Sequence, residues 1–351
     1  MLSGCYTLTQ GGILLGYLGR AVPLESINDN SSTDGGSSGD AQDAEKKKLF
    51  VENVHRVRQF AINELGLKET KNYTKYVKID NDYLAAIVSA CDKDKFNTHK
   101  WSFPVIGQVP YKGFFRLDDA KKEADKLKKK NLDVLIRPVD AFSTLGWFND
   151  PIYSFMLDYS DYAMADLIIH ESFHATLFLK NKVQFNEEIA EFIGGEGARL
   201  YMEKMYGKDN KQIRDMEESK TDNAAFVKFI QGMIKALDEV YNSGVSIEEK
   251  LLSKEKIIAG SKERFKENYD SMFLTDRYKN FVNVEVNNAY LELYRLYYDG
   301  GSALKELYEA HGSNLTNFIN AAKKLTGKGD PMEQLKTELS KLAAIGIEPM
   351  T

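Results

Sequence analysis

Five residues carry the strongest chemical signal in the chain: His170-Glu171-Ser172-Phe173-His174. On a helix, positions four apart lie one turn above each other on one face. Two imidazoles so placed can donate nitrogens to one tetrahedral metal ion. The Glu after the first His points to the adjacent quadrant, close enough to handle the proton of a water without displacing it. A segment that follows supplies carboxylates: Asn186-Glu187-Glu188-Ile189-Ala190-Glu191. Glu187, Ala190, Glu191, Gly194 and Ala198 share one helical face, small apart from the two acids, which lets this helix approach the His helix closely. Glu187 is the expected third ligand. Glu191, one turn on, is expected to accept the second imidazole proton of a ligand His, the usual outer role of a carboxylate. Glu188 lies on another face, where a plain solvated acid is the simpler reading.

Two His and one Glu with an open fourth position form a catalytic rather than a structural zinc arrangement, with one Zn2+ expected per chain. The chemistry implied is amide hydrolysis, with Glu171 as general base. The competing reading is a core helix whose polar groups are hydrogen-bonded without a metal. Leu167, Ile168, Ile169, Phe173, Leu177 and Phe178 make the helix apolar on most sides, so unpartnered His and Glu there would be costly.

The elements that must hold these residues are legible in outline. Helices are expected over Ala163 to Lys180 and Glu187 to Tyr206. Strand signals cluster earlier: Tyr73 to Ile79, Tyr83 to Ser89, Val105 to Phe115, Leu132 to Ile136 and Ala141 to Phe148. A helix is expected over Leu117 to Lys130, and only helical patterns follow from Asn210. The expected fold class is α+β, mostly α: a zincin-like small sheet plus active-site helix, then a helical C-terminal half. Thr7 to Ile27 reads as one helix. Asn28 to Lys48, rich in Ser, Gly and Asp before it turns charged, reads as a linker or surface loop. The organisation expected is residues 1–48 as lipobox, N-terminal helix and low-complexity linker, and 49–351 as one zincin-like catalytic domain, with its sheet and metal-site helices in 49–206 and a helical part in 207–351.

The bulk numbers exclude other classes. A net charge of −5 over 351 residues offers no electrostatic case for nucleic acid. Two cysteines, Cys5 and Cys91, cannot build a disulfide framework. Leu2-Ser3-Gly4-Cys5 looks like a bacterial lipobox, in which the Cys is lipidated and becomes the mature N-terminus; the charged and apolar segments such a signal needs would then lie upstream.

These residues together resemble a known family, the bacterial predicted aminopeptidases, lipoprotein-like chains with a zinc-peptidase motif. The resemblance runs through Leu2-Ser3-Gly4-Cys5, Trp101 to Gly107, Tyr111 to Phe115, Ala141 to Pro151, His170 to His174, Phe185-Asn186-Glu187, Asn287-Asn288-Ala289 and Tyr297. The Asn-Glu pair is similar to the third-ligand motif of thermolysin-like enzymes. The resemblance implies a zinc aminopeptidase acting on peptides. It also implies attachment to a bacterial envelope membrane through lipidated Cys5, with the catalytic part in the periplasm. In thermolysin-like folds an edge strand before the active-site helix pairs with the substrate backbone, which makes Ser143, Thr144, Gly146 and Trp147 the expected substrate-binding residues. Tyr297 is the candidate phenol for the oxyanion. Family members carry Cys where this chain has Ser102 and Gln108, as expected if a disulfide was lost whole. Two alternatives stay open: a zinc endopeptidase, and a non-catalytic envelope lipoprotein that keeps the fold as a binding module. An aminopeptidase needs an acid for the substrate amine, and Asp150, Glu188 and Glu196 are all candidates.

Overall fold

The computed structural model describes residues 2–28, 38–103, 107–140, 149–295 and 300–344. In chain order, α1 is Leu2–Gly19, β1 Val22–Pro23, α2 Ser38–Asn63 and β2 Lys75–Val77. β3 (Ala85–Asp92), β4 (Trp101–Phe103), β5 (Gly107–Val109) and β6 (Tyr111–Phe114) follow, then α3 (Leu117–Lys128) and β7 (Leu132–Val139). After β8 (Ile152–Tyr153) the chain is helical: α4 Asp161–Thr176, α5 Val183–Tyr206, α6 Lys211–Tyr241, α7 Ile247–Met272 and α8 Asn288–Arg295. α9 (Gly300–Ala310), α10 (Leu315–Ala322) and α11 (Pro331–Ala344) close the described chain. The class is α+β, mostly α, as the patterning implies.

Two expectations change at the N-terminal end. The helix expected to run to Ile27 stops at Gly19, and a short strand and a 3-10 turn over Leu24–Ile27 replace its end. Pro23 is the reason: it lacks a backbone N–H and pushes Val22 into extended conformation. The expected linker also divides, because residues 38–48 form the first turns of α2. Ala41, Gln42 and the Glu45 to Lys48 run are strong helix formers, and Lys47 pairs with Asp43 one turn back. Residues 29–37 lie outside the described residues, as does the expected strand over 141–148.

The chain forms two compact units, each drawn from three stretches of sequence. One comprises residues 1–16, 83–142 and 214–297. Its antiparallel sheet has the order β6-β3-β7, with Val88 opposite Lys112 and Ile136. Ala86, Val88 and Ala90 alternate onto the face that packs against Ala120, Ala124 and Leu127 of α3. α6, α7 and α8 share an aromatic core around Phe226, Phe265 and Phe281. Lys254 forms a nearly buried ion pair with Asp133, whose carboxylate also accepts the Asn288 N–H at 2.8 Å. Asn288 itself is 0% exposed and donates to the Asp92 carbonyl. Asn287 and Asn288, quoted above for the resemblance, therefore join elements of the fold. In the β4–β5 pair Ser102 stands directly opposite Gln108, the placement a cross-strand disulfide at those positions would need.

The other unit comprises residues 17–82, 143–213 and 298–351. A small mixed sheet, β1-β2-β8, pairs β2 antiparallel to β1 and parallel to β8. Its helical body is α2, α4, α5 and α9 to α11. Tyr201 of α5 stacks edge-on to Phe60 of α2 and donates to the buried Asn53 at 2.7 Å. Phe192 of α5 packs on Tyr308 and Phe318 from the C-terminal helices.

Candidate metal centre

α4 begins where Ser160 caps it, its hydroxyl accepting the Ala163 N–H at 3.1 Å, and Asp161 adds negative charge at the positive end of the helix dipole. Ile168, Ile169 and Phe173 are wholly buried, which fixes the rotation of the helix and turns His170 and His174 to one side. Phe178, past the helix end, is 52% exposed and takes no part in this packing. α5 runs back antiparallel along α4: His174 meets Glu187, while His170 and Asp166 meet Gly194.

The approach is close because the facing residues are small. A Cβ on Gly194 would lie 2.6 Å from Asp166 Oδ1, 3.1 Å from the Asp166 carbonyl and 3.1 Å from His170 Cβ. One on Gly197 would lie 3.0 Å from Ile169. Ala190 and Ala198 are completely buried on the same seam. Gly194→Ala is therefore expected to force the helices apart where the first His is carried. Overpacking of this kind costs about 1–3 kcal/mol. Thermal melts should show the loss, and a zinc competition assay should show weaker binding; unchanged values in both would contradict the close seam.

Three ligand-type atoms converge at the end of this seam. His170 Nε2 and His174 Nε2 are 3.0 Å apart, with the rings crossed at 80°. Glu187 Oε2 is 3.8 Å from the first and 3.5 Å from the second. Ligands about 2.0–2.1 Å from a tetrahedral zinc stand about 3.3 Å from one another, so the set has the spacing and donor chemistry of a zinc site. Without a metal, one Nε2–H can donate to the other Nε2; with both Nε2 atoms deprotonated, the two lone pairs face a position a cation can fill. The His side chains are 23% and 15% exposed and Glu187 is 56% exposed, so the group is open to solvent on the carboxylate side. The neighbouring imidazoles, His170 first and then His174, hold the Glu187 carboxyl down at about 2. Burial opposes a charged His170, but the Glu187 hydrogen bond and the charges of Glu171, Glu187 and Asp166 outweigh it and raise its pKa.

The remaining expected residues fall in several places. Glu171 is partly buried on α4 between the two His. Glu188 turns aside and accepts from Gln184 at 2.8 Å. Glu191 is exposed, and among the described residues no hydrogen bond joins it to either imidazole. Nδ1 of His174 is buried and has no partner among the described residues. Glu196 is held by Arg199, whose Nε lies 3.1 and 3.0 Å from its two oxygens. Ser143, Thr144, Gly146, Trp147 and Tyr297 lie outside the described residues.

Two further residues lie near the centre. Asp166, one turn before His170, faces Gly194 and contributes to the charge around that imidazole. Tyr73 is 3% exposed and adopts φ +60°, rare for a bulky side chain, with its N–H on the Asp150 carbonyl at 2.7 Å. Its phenol is pushed well above the usual range, first by burial and then by the charges of Glu171 and Asp150. Asp166 could have been found from its i, i−4 relation to His170; nothing in sequence marks a Tyr with positive φ.

Comparison with known proteins yields one family. No match is found among curated proteins or among solved structures. A family described as "Putative aminopeptidase" matches residues 9–337, nearly the whole chain, including the helices that carry His170, His174 and Glu187. The chain belongs to this aminopeptidase family.

Proposed function

We propose that this chain is a zinc-dependent peptidase that removes residues from the free N-terminus of peptides. The observation that carries the reading is the convergence of His170, His174 and Glu187, whose ligand atoms all lie within 4.8 Å of one another. Family membership supports the peptidase class. His170 Nε2, His174 Nε2 and a Glu187 carboxylate oxygen would hold the metal, leaving a fourth position open. A zinc ion supplies a Lewis acid that makes a nucleophile of water near neutral pH and polarises the scissile carbonyl.

The other steps belong to the chain. Glu171 shares the helix with both ligands but diverges from them by about 100° per residue, so its carboxylate is free to accept a proton from the attacking water. It then hands that proton to the departing amine. Tyr73, itself buried, lies within electrostatic range of Glu171. Asp150 and Glu188 are the acids that remain for the substrate amine, since Glu196 is engaged by Arg199.

A panel of fluorogenic peptides with free and blocked N-termini separates the readings. Free termini should be cleaved, blocked ones spared, and a chelator should abolish turnover with Zn2+ restoring it. Cleavage of blocked peptides would favour the endopeptidase reading. No cleavage by zinc-loaded protein of any peptide would favour a binding module.

A further inference from the structure

Beside the third carboxylate sits an amide that is not a metal ligand. Asn186 is 1% exposed. Its Oδ1 accepts the Leu179 N–H at 2.9 Å and its Nδ2 donates to the Leu179 carbonyl, also at 2.9 Å. One side chain thereby satisfies both backbone groups of a residue in the segment 177–182, which joins α4 to α5. Asn186 also donates its own N–H to Lys182 at 2.9 Å. Within the same connection Asn181 adopts φ +64°, and Leu179 is buried. A side-chain amide carries a donor and an acceptor on one planar group, spaced to match a backbone N–H and C=O, and Gln is a methylene too long for this closure.

The consequence lies at the two ends of the connection. His174 is on the last turn of α4 and Glu187 is the next residue after Asn186, so the Leu179–Asn186 pair lies on the short covalent path between two ligands. We propose that Asn186 is a positioning residue for the metal-site carboxylate, setting Glu187 opposite the two imidazoles by locking the α4–α5 connection. The assignment rests on the zinc reading of His170, His174 and Glu187. Glu187 is more than half exposed, so side-chain packing does little to fix it. Its placement comes from the backbone that Asn186 anchors. Without the anchor, the carboxylate must be ordered at the moment the metal binds, and affinity falls.

The test is Zn2+ affinity of the full chain, measured by competition with a chromophoric chelator, alongside thermal melts of the metal-free protein. Asn186→Ala should bind Zn2+ roughly 10–100-fold more weakly, the usual size of such a supporting effect. Asn186→Asp keeps the acceptor but not the donor and should fall between; it carries the comparison if the alanine variant does not fold. In a Glu187→Gln background, Asn186→Ala should change affinity by less than about twofold, because its effect passes through Glu187. Asn53→Ala, which removes the acceptor for the Tyr201 hydroxyl, should lower the melting temperature and leave Zn2+ affinity unchanged. Folded Asn186→Ala with wild-type affinity, or an equal loss with and without Glu187, overturns the assignment alone. Wild-type protein that takes up no Zn2+ overturns the zinc reading and this assignment with it.

Discussion

Glu171→Gln is expected to retain its zinc while losing peptide hydrolysis by about 10²–10⁴-fold, the range that general acid–base groups contribute. The substitution preserves size and removes only the ability to take and return a proton. His170, His174 and Glu187 converge without it, so metal content by elemental analysis should match wild type. The two measurements must separate. If zinc is lost together with activity, Glu171 belongs to the ligand set or to the core of α4. If zinc-loaded Glu171→Gln turns over near the wild-type rate, another group moves the proton.

The largest effect on the metal itself should come from Glu187→Gln. Glu187 is the only carboxylate in the ligand-type cluster found among the described residues, and the two His hold it ionised. A neutral amide there removes a charge from the site and leaves two neutral nitrogens, which should abolish most zinc affinity in a chelator competition. Glu191→Gln should leave zinc affinity near wild type, since Glu191 is exposed and among the described residues no hydrogen bond joins it to either imidazole. Glu188→Gln should keep zinc, since Glu188 is turned toward Gln184, though substrate choice can change. Retention of tight zinc binding by Glu187→Gln, with loss in either of the others, would reverse the order.

What the sequence made legible follows from which relations are local. The His pair and Glu171 are fixed by helical period alone. The seam of Gly194, Ala190 and Ala198 was readable as a face of small residues, and the two helices do meet there. Period gives faces, however, not the direction in which a second helix crosses. Gly194 therefore meets Asp166 and His170, while Glu191 of the same face stays exposed. Tyr73 reaches the surroundings of Glu171 through a backbone conformation that no residue type announces. The end of α1 was signalled by Pro23, yet the apolar run across it reads as continuous helix. Lys254 and Asp133, distant in sequence, pair only because α7 and β7 are brought together by tertiary packing.

The assembly from three separate stretches of the unit that carries His170, His174 and Glu187 has a consequence for how the protein is made. Ribosomal synthesis delivers residues 170–187 well before residues 298–351, which belong to the same unit. Until Tyr308 and Phe318 emerge, Phe192 of α5 lacks both of these aromatic partners. The nascent chain thus carries both imidazoles and the carboxylate on helices whose outer surface is still wet and apolar, a state prone to aggregate. Contacts this distant in sequence also close slowly, because the intervening loop entropy is lost before the packing gain arrives. His170, His174 and Glu187 are all synthesised by mid-chain but should gain a rigid setting only as the last helices leave the ribosome, so a chain stopped before residue 298 should be soluble only with a chaperone.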